Sequence, residues 1–231
     1  MNSSTDLIIL FGPPGAGKGS LSDMCVNKLG WTQLSTGNLC RKHIAEQTEI
    51  GKQIDFAIKS GKLVSDSLVM NMVGDWLNMQ IGNVPAVILD GFPRTIAQAK
   101  ALDELLQNKN HPMKLNVIRL CIPDERVIDR LGTRYICSNS ECQAIYSLGA
   151  QSNLVPRKSM TCDKCGHSLM RRKDDEENAI RERLQIYNKH EQDLLNFYRN
   201  SHYRLVELNV EKTLPAVFED FQKIVDVGPG K

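Results

Sequence analysis

The stretch GPPGAGKGS, residues 12–20, stands directly behind the apolar run LIILF and ahead of a segment with helical character. A short branched run stopped by glycine and proline reads as a buried strand, Leu7 to Phe11, and Gly17 to Leu29 reads as the helix after it. Strand, glycine turn, lysine and helix together build a phosphate cradle. The glycines let backbone N–H groups converge on phosphate oxygens, and the helix N-terminus adds the positive end of its dipole. Gly12-x-x-x-x-Gly17-Lys18 fits most of the P-loop spacing, with Gly15 and Ala16 inside the turn and Lys18 placed to bridge outer phosphates. The residue after the lysine is Gly19 rather than a hydroxyl, and Ser20 comes one later, so the sequence leaves open which group meets magnesium. A bare turn with no ligand is the competing reading; the lysine and glycines coinciding between strand and helix argue against it. Such a loop implies a nucleotide and leaves the reaction open.

Further along, strands and helices alternate. Trp31 to Leu34, Ala86 to Leu89, Leu115 to Ile122 and Arg204 to Leu208 read as strands. Ser67 to Met79, Ile96 to Leu106, Asp124 to about Leu131, Asp175 to about Arg199 and Leu214 to Val225 read as helices. Alternation of this kind predicts an α/β fold, a parallel sheet covered by helices on both faces. Two segments depart from it. Residues 36–65 carry two weakly amphipathic helical patterns, with Gly61 as a stop. Residues 134–171 lose periodicity and gain Gly, Ser, Asn and clustered Cys, which marks a functional insertion. The expected division is a core of residues 1–35, 66–133 and 172–231, an arm of 36–65 and a small unit of 134–171. The chain has 231 residues and a formal net charge of +2, too small for a general polyanion binder. No apolar run is long enough to cross a membrane, and MNSSTD lacks the features of a signal or transit peptide, so a cytosolic protein without membrane or nucleic-acid partners is expected.

The discriminating stretch is VILDGFPRTIAQ, residues 87–98. Asp90 ends a strand, where a carboxylate can hold magnesium through water. Arg94 follows a proline on a stiffened turn, placed for a second anion. Gln98, four residues on, shares its helical face and can read a base edge. Each alone is an ordinary turn or surface residue; together after one strand they are hard to dismiss. At this point the chain closely resembles the adenylate kinase family in its long-lid bacterial form. GPPGAGKGS resembles the family's phosphate loop, LSTGNLCR its monophosphate motif, VILDGFPRTIAQ its central signature and RRKDDEENAIRERL the motif after the lid. The resemblance runs from about residue 6 to 220.

That resemblance implies a five-stranded parallel core, a monophosphate-binding arm and a mobile lid. It implies reversible phosphoryl transfer from Mg·ATP to AMP, giving two ADP, by a monomer. By motif, Gly12, Gly15, Ala16, Gly17, Lys18, Gly19 and Ser20 would hold ATP with Arg130 and Arg134. Thr36, Arg41, Gly91, Arg94, Arg172 and Arg183 would hold AMP, with Gln98 on its adenine and Lys62, Leu63 and Val64 seating the base. Lys18, Asp90 and the arginines Arg94, Arg130, Arg134, Arg172 and Arg183 would carry catalysis, with Asp174 and Asp175 orienting the arginines. So many arginines make physical sense, because phosphoryl transfer asks a protein for alignment and for compensation of spread-out negative charge. An acceptor phosphate is already a nucleophile, and no general base is conspicuous.

Cys137-x4-Cys142 and Cys162-x2-Cys165 offer four soft ligands in two pairs. With no export signal, clustered cysteines suggest metal before disulfides. Four thiolates leave tetrahedral zinc no open position, so a structural Zn²⁺ is expected, with His167 as a possible substitute ligand and four reduced thiols as the alternative. The first pair is wider than the spacing common in zinc-bearing lids of the family. Cys25 and Cys121 read as core filling, and Cys40 stands beside Arg41. Two other functions compete: a UMP/CMP kinase or GTP-using kinase on the same fold, and a zinc-ribbon nucleic-acid-binding ATPase using Arg157, Lys158, Arg171, Arg172 and Lys173. Against the latter stand the acidic residues Asp174 to Glu177 and the lack of interleaved aromatics.

Overall fold

The computed structural model describes residues 5–59, 64–107, 114–149 and 154–225. Five parallel strands form the main sheet: β1 (Asp6–Phe11), β2 (Thr32–Ser35), β3 (Ala86–Asp90), β4 (Leu115–Cys121) and β8 (Arg204–Asn209), in the spatial order β2-β3-β1-β4-β8. The strand ahead of the glycine loop is therefore central, with Leu7 to Leu10 buried on both sides. Continuous apolar runs are what a strand covered on both faces requires. Alternate residues divide between the faces. Leu7, Ile9 and Phe11 join Val87, Leu89 and Val117 in one cluster, while Ile8 and Leu10 join Ile88 and Ile118 in the other. Helices α4 (Asp66–Gln80), α5 (Ile96–Gln107) and α7 (Glu177–Arg199) cover the first face, and α1 (Lys18–Leu29) and α8 (Leu214–Val225) the second. Trp31 seals the second cluster with its ring 5.9 Å from that of Phe221.

Between β2 and α4 the chain leaves the sheet as α2 (Thr36–Ala45) and α3 (Glu49–Lys59). Ser35 starts α2 by accepting from the Asn38 N–H, and Ser65 starts α4 by accepting from the Leu68 N–H. Helix α6 (Asp124–Gly132) packs Val127 and Leu131 on Ile180 and Leu184 of α7. After it comes a second, antiparallel sheet of β5 (Arg134–Cys137), β6 (Ile145–Ser147) and β7 (Leu169–Met170), in the order β6-β5-β7. Sequence periodicity fails here for a plain reason: strands of four, three and two residues are shorter than the window over which alternation shows. A single 3-10 turn, Lys173–Asp175, precedes α7, so that helix begins two residues later than the charge pattern suggests.

Candidate functional site

The loops leaving β1 and β3 meet at one end of the sheet, the edge where open α/β sheets bind ligands. Gly15 and Gly17 lie at φ 81° and 94°, a region that favours glycine, and a Cβ on Gly15 would come within 2.9 Å of the Leu131 side chain. No side chain caps α1, so the first N–H groups of the helix stay available to an anion. Lys18 folds over this loop and donates to the carbonyls of Gly12 (2.7 Å) and Pro13 (2.8 Å). Burial pushes its pKa down to about 8; Asp90 opposes that shift, and Arg94, Arg183 and Arg134 add to it. A Cβ on Gly19 would lie 3.2 Å from Ile145 of β6 and 3.5 Å from Asp90 Oδ2. The position after the lysine is thus where the small sheet comes down on the loop, and a bare glycine suits that approach.

On the β3 side, a cis peptide joins Phe92 to Pro93, and Gly91 stands at φ 76°. The Gly91 carbonyl accepts from Thr36 Oγ1 (3.0 Å) and Arg94 Nε (2.8 Å), tying the start of the arm to this turn. A cavity of about 990 Å³ joins the two regions, lined by the glycine loop, Ser20, Asp90 and Arg94 and by six further cationic or polar contributors from outside the sheet, Arg41, Arg130, Arg134, Gln143, Arg172 and Arg183. That is the upper end of the range for a single small ligand.

The arginines are held by few anions. Asp175, 1% exposed, takes both Arg134 Nε (2.7 Å) and Arg134 Nη2, and also Arg183 Nη1 at 3.3 Å. Arg183 pairs with Asp174 at 3.0 Å as well. Burial raises the Asp174 pKa, but Arg183, Arg172, Arg134 and Arg41 outweigh it and hold the carboxyl below its usual range. Arg130 donates to the carbonyls of Val210 (2.6 Å) and Ala16 (3.5 Å), which spans the loop with a cation. Arg172 is least satisfied: its buried Nε finds no protein acceptor among the described residues. Burial, with Arg134 and Arg41 beside it, drives its pKa down to about 9. A guanidinium keeps its proton in a protein, so the burden is a buried charge that Asp174 and Asp175 offset only in part and that a bound anion would lift.

The four cysteines converge, with all Sγ atoms within 4.8 Å of one another. Cys137 and Cys165 are 3.3 Å apart and Cys142 and Cys162 3.7 Å, close to the ~3.8 Å edge of a tetrahedron of sulfurs around zinc. Burial raises the Cys162 pKa, yet the Tyr146 hydroxyl at 3.5 Å and the N–H groups of Cys165 and Lys164 bring it down to about 6, the donor pattern a thiolate ligand wants. The wider first pair still brings both its sulfurs into the group. His167 Nδ1 lies against the Cys165 carbonyl and is outside this group.

Residues 10–203 match the adenylate kinase family. The chain belongs to that family. It is 37% identical over 219 residues to adenylate kinase of Archaeoglobus fulgidus, covering 95% of this chain and 97% of the other. It is 36% identical to that of Clostridium tetani and 35% to that of Thermosipho africanus, each over 218 residues and 94% of this chain, with 97% and 98% of those proteins covered. As a family member it is a nucleoside monophosphate kinase, a phosphotransferase with nucleotide substrates.

Not every residue implied by the family's motifs stands free in the cavity. Gln98 is 4% exposed; its Nε2 donates to Asp66 (2.7 Å) and its Oε1 accepts from the Arg94 N–H (2.7 Å). In this arrangement it braces the Arg94 turn. Thr36 is likewise buried against the Gly91 carbonyl. Val64 is half-buried at the foot of α4, while Lys62 and Leu63 lie outside the described residues. Sequence reasoning missed Asn38 and Gln143, which lie against Arg41, and Arg126, which stands one helical turn before Arg130 and lines the same cavity. Arg126 was open to detection from its i, i+4 spacing; nothing near Gln143 signals a contact with the arm.

Proposed function

We propose that this chain transfers the terminal phosphoryl group of Mg·ATP to AMP, reversibly, giving two ADP, as a monomeric cytosolic enzyme of nucleotide homeostasis. One observation supports the reading: a single cavity is lined by the glycine loop with Lys18, by Arg94 on the β3 turn, and by Arg134, Arg172 and Arg183. Two groups of anion-binding residues on one cavity suit a donor and an acceptor nucleotide. In this reading the loop N–H groups, Lys18 and Arg130 seat the donor, and Arg41 and Arg94 seat the acceptor phosphate. An acceptor oxygen attacks the terminal phosphorus in line, the bond to the bridging oxygen breaks, and the leaving diphosphate keeps the electron pair. Residues on both sides hold these oxygens in line and offset the spread charge, with no proton to be taken. Asp90 and Ser20 line the cavity and would hold magnesium through its waters, where the ion would supply neutralisation of phosphate charge. Residues 36–65 act as the acceptor arm and 134–171 as the lid. Arg172 faces the cavity, so the basic run around it is not one surface.

The test is to give purified protein ADP and Mg²⁺ alone and separate the products. Equal ATP and AMP are expected, with the exchange reduced roughly 100–1000-fold by Arg94→Ala, the scale set by losing one well-placed charge-stabilising group. No ATP or AMP from folded protein overturns the reading. An acceptor panel with UMP and CMP and a donor panel with GTP then fix the specificity.

Structural Zn²⁺ held by Cys137, Cys142, Cys162 and Cys165 belongs to the same proposal. The cluster joins β5 to the turn before β7, so a metal there would make the small sheet one rigid body that carries Arg134 in register. Chelation is expected to lower the melting temperature and to loosen this unit while the five-stranded core survives. Measured zinc loss with an unchanged melting curve would sink the metal's structural role.

A further inference from the structure

The four residues between Cys137 and Cys142 form a loop that reaches the arm. Glu141 pairs with Lys42 of α2 at 2.9 Å. Gln143, just past the second thiol, goes further. Its Oε1 accepts from Arg41 Nε at 2.9 Å, and its Nε2 donates to the Asn38 carbonyl at 3.2 Å and the Ser140 carbonyl at 2.9 Å. Gln143 holds this reach from a left-handed backbone, φ 45°, which a residue with a Cβ adopts at a cost. Glycine would suit that position better and would forfeit every one of these contacts.

The arm is shaped to match. Asn38 Oδ1 accepts from Arg41 Nη2, and Gly37 leaves room for the guanidinium, since a Cβ there would stand 3.3 Å from Nη1 and 3.5 Å from Nη2. The guanidinium therefore lies on the first turn of α2, fixed at Nη2 from its own helix and at Nε from the lid. Among the described residues Nη1 has no hydrogen-bond acceptor, and Arg41 lines the cavity.

We propose that Gln143 is a positioning residue for the acceptor phosphate, acting through Arg41, so that the acceptor site is complete only when the lid rests on the arm. This rests on the acceptor-arm reading given above. It makes closure of the lid and affinity for AMP linked quantities: whatever draws the lid down strengthens the acceptor site, and a bound acceptor holds the lid down in return.

The test uses the full, zinc-loaded chain as parent, Gln143→Gly, Arg41→Ala and the double variant. Gln143→Gly is expected to raise KM for AMP about tenfold, with KM for ATP held within about twofold, as loss of one charge-assisted contact on the acceptor side predicts. Its zinc content and melting temperature stay at or above the parent's, since the backbone strain is relieved. In the Arg41→Ala background the same substitution changes nothing further, because a residue that acts only through Arg41 has nothing left to position. Should the glycine variant fail to load zinc, Gln143→Leu keeps the bulk, deletes the carboxamide and carries the same expectation. A KM for AMP that stays near the parent's in Gln143→Gly while rising in Arg41→Ala overturns this proposal alone, as does an undiminished effect of Gln143→Gly beside Arg41→Ala. No turnover with AMP in the parent, or an unchanged KM for AMP in Arg41→Ala, overturns the acceptor-arm reading and this proposal with it.

Discussion

Lys18→Met is expected to give a protein that makes no measurable ATP from ADP and yet melts above its parent. The catalytic half follows from position. In the proposed donor site Lys18 is the cation of the phosphate loop, and losing it should lower turnover by at least about 1000-fold, at the upper end of the effect of removing a single charge-stabilising group. The stability half follows from what Lys18 touches: two backbone carbonyls, with Arg94, Arg134 and Arg183 close enough to repel it. The gap between its ordinary value of 10.5 and about 8 corresponds to roughly 3 kcal/mol. Part of the side chain faces the cavity, so about 1–3 kcal/mol is the fitting range. The sign is fixed by linkage. A lysine whose folded pKa lies below its unfolded one costs stability while both states are protonated, below about pH 8. That cost fades as pH rises from about 8 to 10.5, where the native state has released the proton and the unfolded chain has not. Chemical denaturation of parent and variant at pH 7 and pH 10 checks this: the variant should be the more stable at pH 7, and the difference should shrink at pH 10. A variant less stable at pH 7 would show that the ammonium stabilises the loop.

The same balance of site against stability explains which features could be read from the sequence. The core was legible because burial on both faces writes itself as an unbroken apolar run; Leu7 to Phe11 and Ala86 to Leu89 fall within one residue of the observed strands. The helices were legible where apolar periodicity is clear, as at Ile96–Gln107 and Leu214–Val225. The glycine turn between β1 and α1 was legible because its signal is local, carried by residues a few positions apart. The small sheet was not, since its strands are held by a cysteine cluster and by pairing across long loops. Nor was the strand order, which depends on contacts far apart in the chain. The roles of Gln98 and Gln143 show both sides of this limit. Gln98 sits on the expected helical face, but Asp66, thirty-two residues away, takes its carboxamide. Gln143 reaches Arg41 across 102 positions, a contact no spacing rule encodes. The position it occupies is an unfavourable one for glutamine, and such local conflicts tend to fall where a site draws on the fold.

Asp175→Asn should be the most destabilising single change at the site. Lys18, Lys212 and seven arginines, Arg41, Arg94, Arg126, Arg130, Arg134, Arg172 and Arg183, line the cavity, against Asp23, Asp90, Asp129, Glu141 and Glu211 in the same lining and Asp174 and Asp175 behind the arginines. The surplus positive charge suits polyphosphates, and the two carboxylates paired with the arginines do two tasks: they offset charge and they aim the guanidinium groups. Asp175 does most of this. Its side chain is fully buried, it holds Arg134 through both oxygens, and it shares Arg183 with Asp174. Neutralising one member of a buried ion pair costs about 3–5 kcal/mol, because the partner's charge stays buried without compensation. Here Arg134 is left in that state, with its side chain only 12% exposed. Asp174 is the control: 46% of its side chain is exposed, and Arg183 keeps Asp175 when Asp174 is changed. Asp174→Asn should therefore cost under about 1 kcal/mol. Turnover should separate the two as well, falling on the order of 100-fold or more in Asp175→Asn, where Arg134 and Arg183 lose their common anchor, and far less in Asp174→Asn. Urea denaturation and ADP disproportionation on both variants decide it. Equal losses of stability would mean that the arginines are held by the cavity walls and their neighbours rather than by Asp175. Lost stability with full turnover would mean that substrate phosphates alone suffice to draw Arg134 and Arg183 into line.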